Sequence, residues 1–425
     1  MNEQQFLKLI AGQPMPGGGL LRFLLRVASW PYAAAMLVRN RLFDWCIRRV
    51  HLPPVPVISV GNVTTGGTGK TPVVALFVQQ LQQSGLRPGI VSRGYRSLDD
   101  EGNDERRVLD ILCPGVPHVQ DRDRVAAVET AVSEYGCDVI VADDAFQHRR
   151  LGRTLDVVLI DATNPWGYGA VLPRGLLREP RCGLRRAGLI AITRADQVEP
   201  TVLDSIWDEV QRYVSAAPRV EIAFQPTGLR SHSPRDSATL HPPSGKVDCE
   251  ARAAGEGDTP GSDAGSSRDL ATAEPGQTLP ARSSRPSQWE GQEGDTATGV
   301  PRESVRHIGK NSPRRAVVFS GIGNPDAFRA TVETLEIDVA AFRAFPDHWH
   351  YSAADLTDLA ALASGHSADL LLTTLKDLVK LRDLPHPDVE MAAVDISAVV
   401  AVGADVFAAA IDRVAGAVSG GVADE

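Results

Sequence analysis

The stretch that leaves this chain the fewest folding options runs from Val55 to Leu81. A β-branched run, Val55-Pro56-Val57-Ile58-Ser59-Val60, passes into Gly61-Asn62-Val63-Thr64-Thr65-Gly66-Gly67-Thr68-Gly69-Lys70-Thr71. Val73, Val74, Phe77, Val78 and Leu81 then recur on one helical face. The pattern predicts strand, loop, helix. Glycines let such a loop curl so that successive N–H groups point at phosphate oxygens, and the helix N-terminus adds partial positive charge. Lys70 is then placed to reach the β- and γ-phosphates of a nucleoside triphosphate, and the Thr71 hydroxyl to coordinate Mg²⁺. Pro72 fits, because a first-turn residue has no helical partner for the N–H it lacks. Thr64 stands where the pattern G-x-x-x-x-G-K-[ST] has glycine, and Gly66 and Gly67 compensate. A plain glycine-rich helix cap is the alternative, and it leaves the coincidence of strand, Gly-Lys-Thr and helix without a reason. The candidate nucleotide-binding residues are Thr64, Thr65, Gly66, Gly67, Thr68, Gly69, Lys70 and Thr71.

Apolar runs continue to alternate with helical patterns: Gly89–Ser92, Asp138–Ala142, Asp156–Ile160, Leu189–Ile192 and Val220–Phe224. Continuous Val/Ile/Leu runs belong to strands covered on both faces, so the expected fold is α/β with a mainly parallel, P-loop NTPase-like sheet. Catalytic groups should gather at the strands' C-terminal ends. From 231 to 313 the pattern stops, with Ser, Gly, Pro, Asp, Glu and Arg dominant and apolar residues isolated. Such a segment cannot bury enough surface to offset its ordering entropy, and it reads as a disordered insertion. Strand signals return at Arg315–Gly323, Leu370–Thr374 and Met391–Asp395, a second, smaller α/β unit, and Val399–Val418 reads as a closing helix. The expected division is 1–54, a basic amphipathic region; 55–230, the core; 231–313, the insertion; 314–398, the smaller domain; and 399–425, helix and tail.

In residues 18 to 50, leucines, Phe23, Trp30, Tyr32, Phe43 and Trp45 are interleaved with Arg22, Arg26, Arg39, Arg41, Arg48 and Arg49, and Asp44 is the one acid. The longest charge-free run, Val27–Val38, is short of the ~20 residues that span a bilayer. Two readings stay open: a helix lying in the headgroups of an anionic membrane, or one docked on the protein's own core with its arginines solvated. A net charge of −9 argues against nucleic acid as a partner. The five cysteines show no C-x-x-C pair and read as reduced thiols.

Asp143 and Asp144 follow a buried run directly, at a strand end beside the phosphate loop, where two carboxylates can hold Mg²⁺ and its waters. Leu172-Pro173-Arg174-Gly175-Leu176-Leu177-Arg178-Glu179 adds a cation and a further carboxylate, which composition alone leaves as readily surface charges. In Phe345-Pro346-Asp347-His348-Trp349-His350-Tyr351 the histidines are too few for a zinc site, and a base or positioning role fits better.

Taken in order, G-N-V-T-T-G-G-T-G-K-T-P, S-R-G-Y from Ser92, G-N-D-E from Gly102, D-D-A-F-Q-H from Asp143, L-P-R-G-L-L-R-E, G-I-G-N-P from Gly321, F-P-D-H and T-L-K-D from Thr374 resemble the tetraacyldisaccharide 4'-kinase family, the lipid A kinases of Gram-negative bacteria. The resemblance implies an ATP-dependent kinase acting on the 4'-hydroxyl of an acylated glucosamine disaccharide 1-phosphate. It implies Lys70 and Thr71 in the phosphate loop; Thr71, Asp143, Asp144 and Glu179 around Mg²⁺; and Arg178 on phosphate. It also implies Asp104 as catalytic base with His348, and active-site positions for Glu105 and His148. The family's Gly-Asp-Glu is interrupted here by Asn103. The basic N-terminal region is expected peripherally on the cytoplasmic face of the inner membrane, with no obligate protein partner evident. A rival of another class, a membrane-associated GTPase or ATPase switch, draws on Ile192-Thr193-Arg194-Ala195-Asp196, similar to the guanine-reading element of such proteins.

Overall fold

The structure, a computed structural model, describes residues 3–94, 104–215, 218–231, 305–306, 314–385 and 387–420. Two helices come first, α1 (Glu3–Ile10) and α2 (Gly18–Asp44). The expected strand, loop and helix follow as β1 (Val57–Asn62), the phosphate loop and α3 (Lys70–Gln83). The chain continues through β2 (Pro88–Ser92), α4 (Asp104–Leu112), β3 (His118–Gln120), α5 (Arg124–Ser133), β4 (Val139–Asp143), β5 (Leu155–Asp161), β6 (Leu189–Thr193), α6 (Pro200–Gln211) and β7 (Arg219–Ser231). Every residue of β1, β2, β4 and β6 is buried, which is why these strands read as unbroken apolar runs.

Further along the chain come β8 (Val305–Arg306), β9 (Arg314–Ser320), α7 (Pro325–Glu333), β10 (Ile337–Ala344), α8 (Ala353–Gly365), β11 (Leu370–Thr374), α9 (Leu375–Leu381), β12 (Glu390–Val402) and α10 (Ala404–Gly420). Within the expected insertion, Ser231 ends β7, and Val305 and Arg306 pair antiparallel with Arg230 and Leu229. The rest of 231–313 lies outside the described residues.

All strands join one sheet in the order β10-β9-β11-β12-β7-β6-β5-β1-β4-β2-β3, with β8 beside β7. Pairing is parallel except at β7/β12 and β7/β8. The smaller unit is thus continuous with the core sheet. β7 and β12, the two longest strands, zip from Ala392↔Ser231 to Val402↔Glu221, and both units fall in one compact unit. This pairing carries β12 through Val402, so the closing helix starts at Ala404 and not near Val399. Nor does α10 stay with the smaller unit: Phe407, Ile411 and Val414 pack into the core under α3, with the Phe407 and Phe77 rings 4.8 Å apart.

The N-terminal helix is inverted relative to an ordinary surface helix. Its protein-facing stripe holds Ser29, Tyr32, Asn40 and Phe43, while Leu20, Phe23, Leu24, Trp30 and Val38 are more than half exposed. Polar groups make the attachment. Ser29 Oγ donates to Val171 O at 3.0 Å, Tyr32 OH to Arg178 O at 2.7 Å, and Asn40 Nδ2 to Glu179 Oε2 at 2.9 Å. The docked reading therefore holds for the protein-facing stripe, and the apolar face is left exposed. Residues 18–44 form one helix, longer than the charge-free run implies, and among the described residues it alone is long and apolar enough to cross a membrane.

Candidate active site

The β1 and β4 strands lie side by side and parallel, so the phosphate loop and the Asp143–Asp144 pair emerge at the same sheet edge. The loop is braced from three sides. Thr65 N donates to Leu176 O at 2.7 Å and Arg178 N to Val63 O at 2.7 Å, which ties it to the Leu172–Glu179 segment. Thr193 Oγ1 donates to Thr68 O at 3.0 Å and Arg194 Nη2 to Gly67 O at 3.0 Å, which ties it to β6. Gly69, the N-cap of α3, has φ 76° and lies against the Phe224 ring, so a side chain there would meet both strain and a clash. The first N–H groups of α3 have no acceptor within the helix and are open to an anion.

Lys70 Nζ lies 3.7 Å from Asp144 Oδ1, and Arg178 Nη1 donates to both Asp144 oxygens at 2.8 Å. Burial alone would raise the Asp144 carboxyl, but Lys70 and Arg178 outweigh it and hold it below the ordinary value. Asp143 goes the other way. Burial first, then Glu105, pushes its carboxyl up to about 7 against the pull of Lys70. Arg124, which the sequence did not single out, donates to the Asp143 carbonyl at 2.8 Å and the Asp144 carbonyl at 3.2 Å, and so fixes the backbone of the pair. Asp144, Arg194 and His348 all have positive φ, at 47°, 55° and 56°. Non-glycine residues adopt that region at a cost of about 1 kcal/mol or more, and it tends to gather where function over-determines the backbone.

Whether this site suits a divalent cation turns on two orphaned atoms. Asp143 Oδ1 and Thr68 Oγ1 are buried and have no hydrogen-bond partner among the described residues. A carboxylate oxygen buried without a donor is poorly solvated unless a cation faces it. Asp143 has such an oxygen, beside Asp144, whose own oxygens accept from Arg178. Glu179, expected beside them, is held by partners of its own. Its carboxylate is fully buried and takes Arg186 Nη2 at 2.9 and 3.0 Å, Asn40 Nδ2 at 2.9 Å and Gln147 Nε2 at 3.1 Å. With its oxygens saturated and its charge neutralised, Glu179 pins α2 to the phosphate-loop region. Among the described residues no group of three His, Cys, Asp or Glu side chains is placed to hold a metal. A magnesium site completed by a hydroxyl and phosphate oxygens needs only one or two carboxylates.

The smaller unit reaches the same rim. A Cβ on Gly323 would stand 2.9 Å from Asp347 Oδ2 and 3.2 Å from the Gly67 nitrogen, so G-I-G-N-P and F-P-D-H meet the phosphate loop there. Asn324 Nδ2 donates to Thr163 Oγ1 at 3.0 Å, and Lys376 Nζ lies 3.8 Å from Asp347 Oδ1. The T-L-K-D segment holds this arrangement, because buried Asp377 accepts from Gly321 N at 2.9 Å. His348 follows Asp347 directly and is set by the hydrogen bond of its own N–H to Asp347 Oδ1 at 3.0 Å.

Asp104 begins α4, where Gly102 and Asn103 before it lie outside the described residues. Val108 of that helix packs in one cluster with Phe345 and Tyr351, so the Asp104 and His348 elements share a common support. The first turn of α4 also brings Glu105 to bear on Asp143. His148 lines a basic cavity with Arg39, Phe43, Arg48, Arg49, Arg149 and Arg150, and feels Arg124, the residue that holds the Asp143–Asp144 backbone. In the segment Thr193-Arg194-Ala195-Asp196, Arg194 braces the loop: it pairs with Asp161, covers the Phe224 ring and holds Gly67.

The family model described as "Tetraacyldisaccharide-1-P 4'-kinase" matches residues 21–251 and 269–415, so the match runs into the low-complexity stretch and leaves only 252–268 of it uncovered. A tetraacyldisaccharide 4'-kinase of Anaeromyxobacter sp. (strain Fw109-5) is 32% identical over 93% of this chain and 92% of its own length. Another, from Geobacter metallireducens, is 34% identical over 85% of this chain and 89% of its own. In three dimensions the chain is similar to LpxK from Aquifex aeolicus, solved in complex with ATP, with a TM-score of 0.63 and 24% identity over 93% of this chain and 99% of that one.

Proposed function

From the fact that this chain belongs to the tetraacyldisaccharide-1-P 4'-kinase family, we infer that it moves the γ-phosphoryl group of ATP to the 4'-hydroxyl of an acylated glucosamine disaccharide 1-phosphate, a lipid A precursor. The observation that carries this reading at the level of residues is the convergence on one rim of the phosphate loop, the Asp143–Asp144 pair and the Gly323/Asp347 turn.

The phosphate loop, from Thr64 to Thr71, cradles the triphosphate with its backbone N–H groups, and Lys70 holds the terminal phosphate. Arg178, drawn to Asp144 at 2.8 Å, is within a side-chain rotation of the same charge. In phosphoryl transfer the protein's work is almost entirely alignment and charge stabilisation. Asp104, assisted by His348, aligns the sugar hydroxyl and takes its proton. Thr71, Asp143 and Asp144 would hold Mg²⁺, which when bound neutralises charge on the β- and γ-phosphate oxygens.

The acceptor is apolar at its acyl end, and α2 supplies the matching surface. Its exposed Leu20, Phe23, Trp30 and Val38 enter the bilayer, while its hydrogen-bonded face stays on the protein. A helix bound along one side to a folded domain cannot be surrounded by lipid, so it lies in the membrane plane at the cytoplasmic face of the inner membrane.

The test is mass spectrometry of the lipid after incubation with ATP or GTP. The expected product is the bisphosphorylated disaccharide, formed from ATP. Lys70→Ala and Asp104→Ala each lower its rate by about two orders of magnitude or more. Nucleotide hydrolysis that ignores the lipid, or an Asp104→Ala rate near normal, rules out the scheme.

A further inference from the structure

Beside the phosphate loop, a chain of polar side chains crosses from the core sheet to α4. Ser92, the last residue of β2, has its Oγ 2.8 Å from Nε2 of His118, the first residue of β3. Gln120 Nε2 donates to the same oxygen at 3.0 Å. The other ring nitrogen, Nδ1, lies 3.5 Å from Asp110 Oδ1 on α4, and Arg106 Nε lies 3.5 Å from Asp110 Oδ2. Chemistry fixes the direction of the chain. The ring nitrogen that faces a carboxylate carries the proton, so Nε2 is the acceptor and the Ser92 hydroxyl donates to it. The His118 side chain is only 2% exposed, and burial first of all holds its pKa below the ordinary value, so the ring bridges as a neutral donor and acceptor.

A serine, a histidine and an aspartate in this order are also how hydrolases activate a nucleophile. Here the hydroxyl is buried and already accepts from Gln120, so the chain holds and does not attack. What it holds borders the reaction centre on both sides. Val91 of β2 pairs with Ala142 of β4, which puts Ser92 beside Asp143. On the other side, Asp110 follows Asp104 by about two turns of α4, and the first turn of that helix carries Glu105, which bears on Asp143. Buried Val108 and Leu109 seat α4 through apolar contacts, which are non-directional. A bridge with defined donors and acceptors is directional, and it sets how far the helix rolls and slides on that seat.

We propose that His118 is a positioning residue for phosphoryl transfer: it ties the end of β2 to α4 and so sets where Asp104 and Glu105 stand relative to Asp143. The inference deepens the kinase reading above and rests on it. Buried as it is, His118 acts through α4 and not on substrate.

The test uses the full-length protein in neutral detergent micelles with ATP, Mg²⁺ and the acylated disaccharide 1-phosphate. His118→Leu keeps the bulk of the ring and removes both nitrogens. Its kcat should fall about 10- to 100-fold, the cost of a misplacement of about 1 Å in the reacting groups. The KM for ATP stays within about twofold, because the phosphate loop is braced by β6 and the Leu172–Glu179 segment. His118→Gln, whose amide oxygen can still take the Ser92 proton, recovers part of the loss. Asp110→Ala breaks the far end of the chain at a half-exposed position, where its pair with Arg106 matters little to stability. Its kcat should fall by a similar factor, and the double variant His118→Leu/Asp110→Ala should fall no further. A kcat near wild type in Asp110→Ala overturns the proposal, even where His118→Leu fails to fold. So do losses that multiply in the double variant, a KM for ATP that rises as kcat falls, or labelling of Ser92 by a fluorophosphonate, which needs a reachable nucleophile. Wild-type protein that forms no bisphosphorylated lipid overturns the kinase reading itself, and this inference with it.

Discussion

Enclosed at the end of β4, Asp143 carries a pH signature of known sign. Its carboxyl sits at about 7 in the folded protein, raised by burial and then by Glu105, against about 4 in an unfolded chain. The native state therefore holds a proton that the unfolded state has given up. In metal-free protein this contribution to stability is full below pH ~4 and is lost as pH rises through about 7. A cation needs the ionised form, so its affinity runs the opposite way. The gain in Tm on adding Mg²⁺ should be larger at pH 8 than at pH 6, and Asp143→Asn should abolish both the gain and its pH dependence; a gain that is flat with pH counts against Asp143 as a ligand. Arg194 supports a second prediction at this scale. It holds Gly67 O and pairs with buried Asp161, so Arg194→Ala strips a buried carboxylate of its partner, a change that costs about 3–5 kcal/mol. ATP binding by calorimetry should weaken about tenfold or more as the loop slackens, the effect of ~1.4 kcal/mol. A variant with normal affinity for ATP would show that the loop keeps its shape unaided.

Among the elements, α2 has two faces that should answer mutation differently. Phe23 and Trp30 are 63% and 66% exposed, so Phe23→Glu/Trp30→Glu should leave Tm nearly unchanged, as surface substitutions do, while reducing co-sedimentation with anionic vesicles several-fold. Asn40→Leu acts from the other side. It removes a donor from fully buried Glu179 and should cost about 1–3 kcal/mol with vesicle binding retained until the protein unfolds. If both variants lost membrane binding equally at full stability, the division of faces would be wrong. The strands differ in how readily they were read. β1, β4, β5 and β6 are buried on both sides and spell themselves out in Val, Ile and Leu. β3 has three residues at one sheet edge, and β10 at the other edge is half-buried with its pattern broken by Asp338 and Arg343. Neither presents the continuous apolar run that a covered strand requires.

At the scale of the whole molecule, the contacts that tie the two α/β units together include the β7/β12 zipper, α10 packed on α3 through Phe407 and Phe77, and α4 held to α9 by Arg107 on Val379 O at 3.5 Å. The units should melt as one. Calorimetry should give a single transition with matching calorimetric and van't Hoff enthalpies, and two resolved transitions would show that the shared sheet does not couple them. This joining is also where sequence reading ran out. Gly-Lys-Thr after a buried strand, paired aspartates at the end of another, and alternation of strand and helix are local, written in consecutive residues, and they determined the fold class, the nucleotide loop and the carboxylate pair. Arg124 on the backbone of that pair, Arg194 and Phe224 on the loop, Asp347 against Gly67, and Glu179 bound to α2 depend on partners far along the chain, and a side chain carries no mark of which distant group it will meet. Register in the sheet decided those meetings. With β7 paired antiparallel to β12 in one sheet, the Gly323 turn stands against the phosphate loop, a meeting that no local run of sequence spells out.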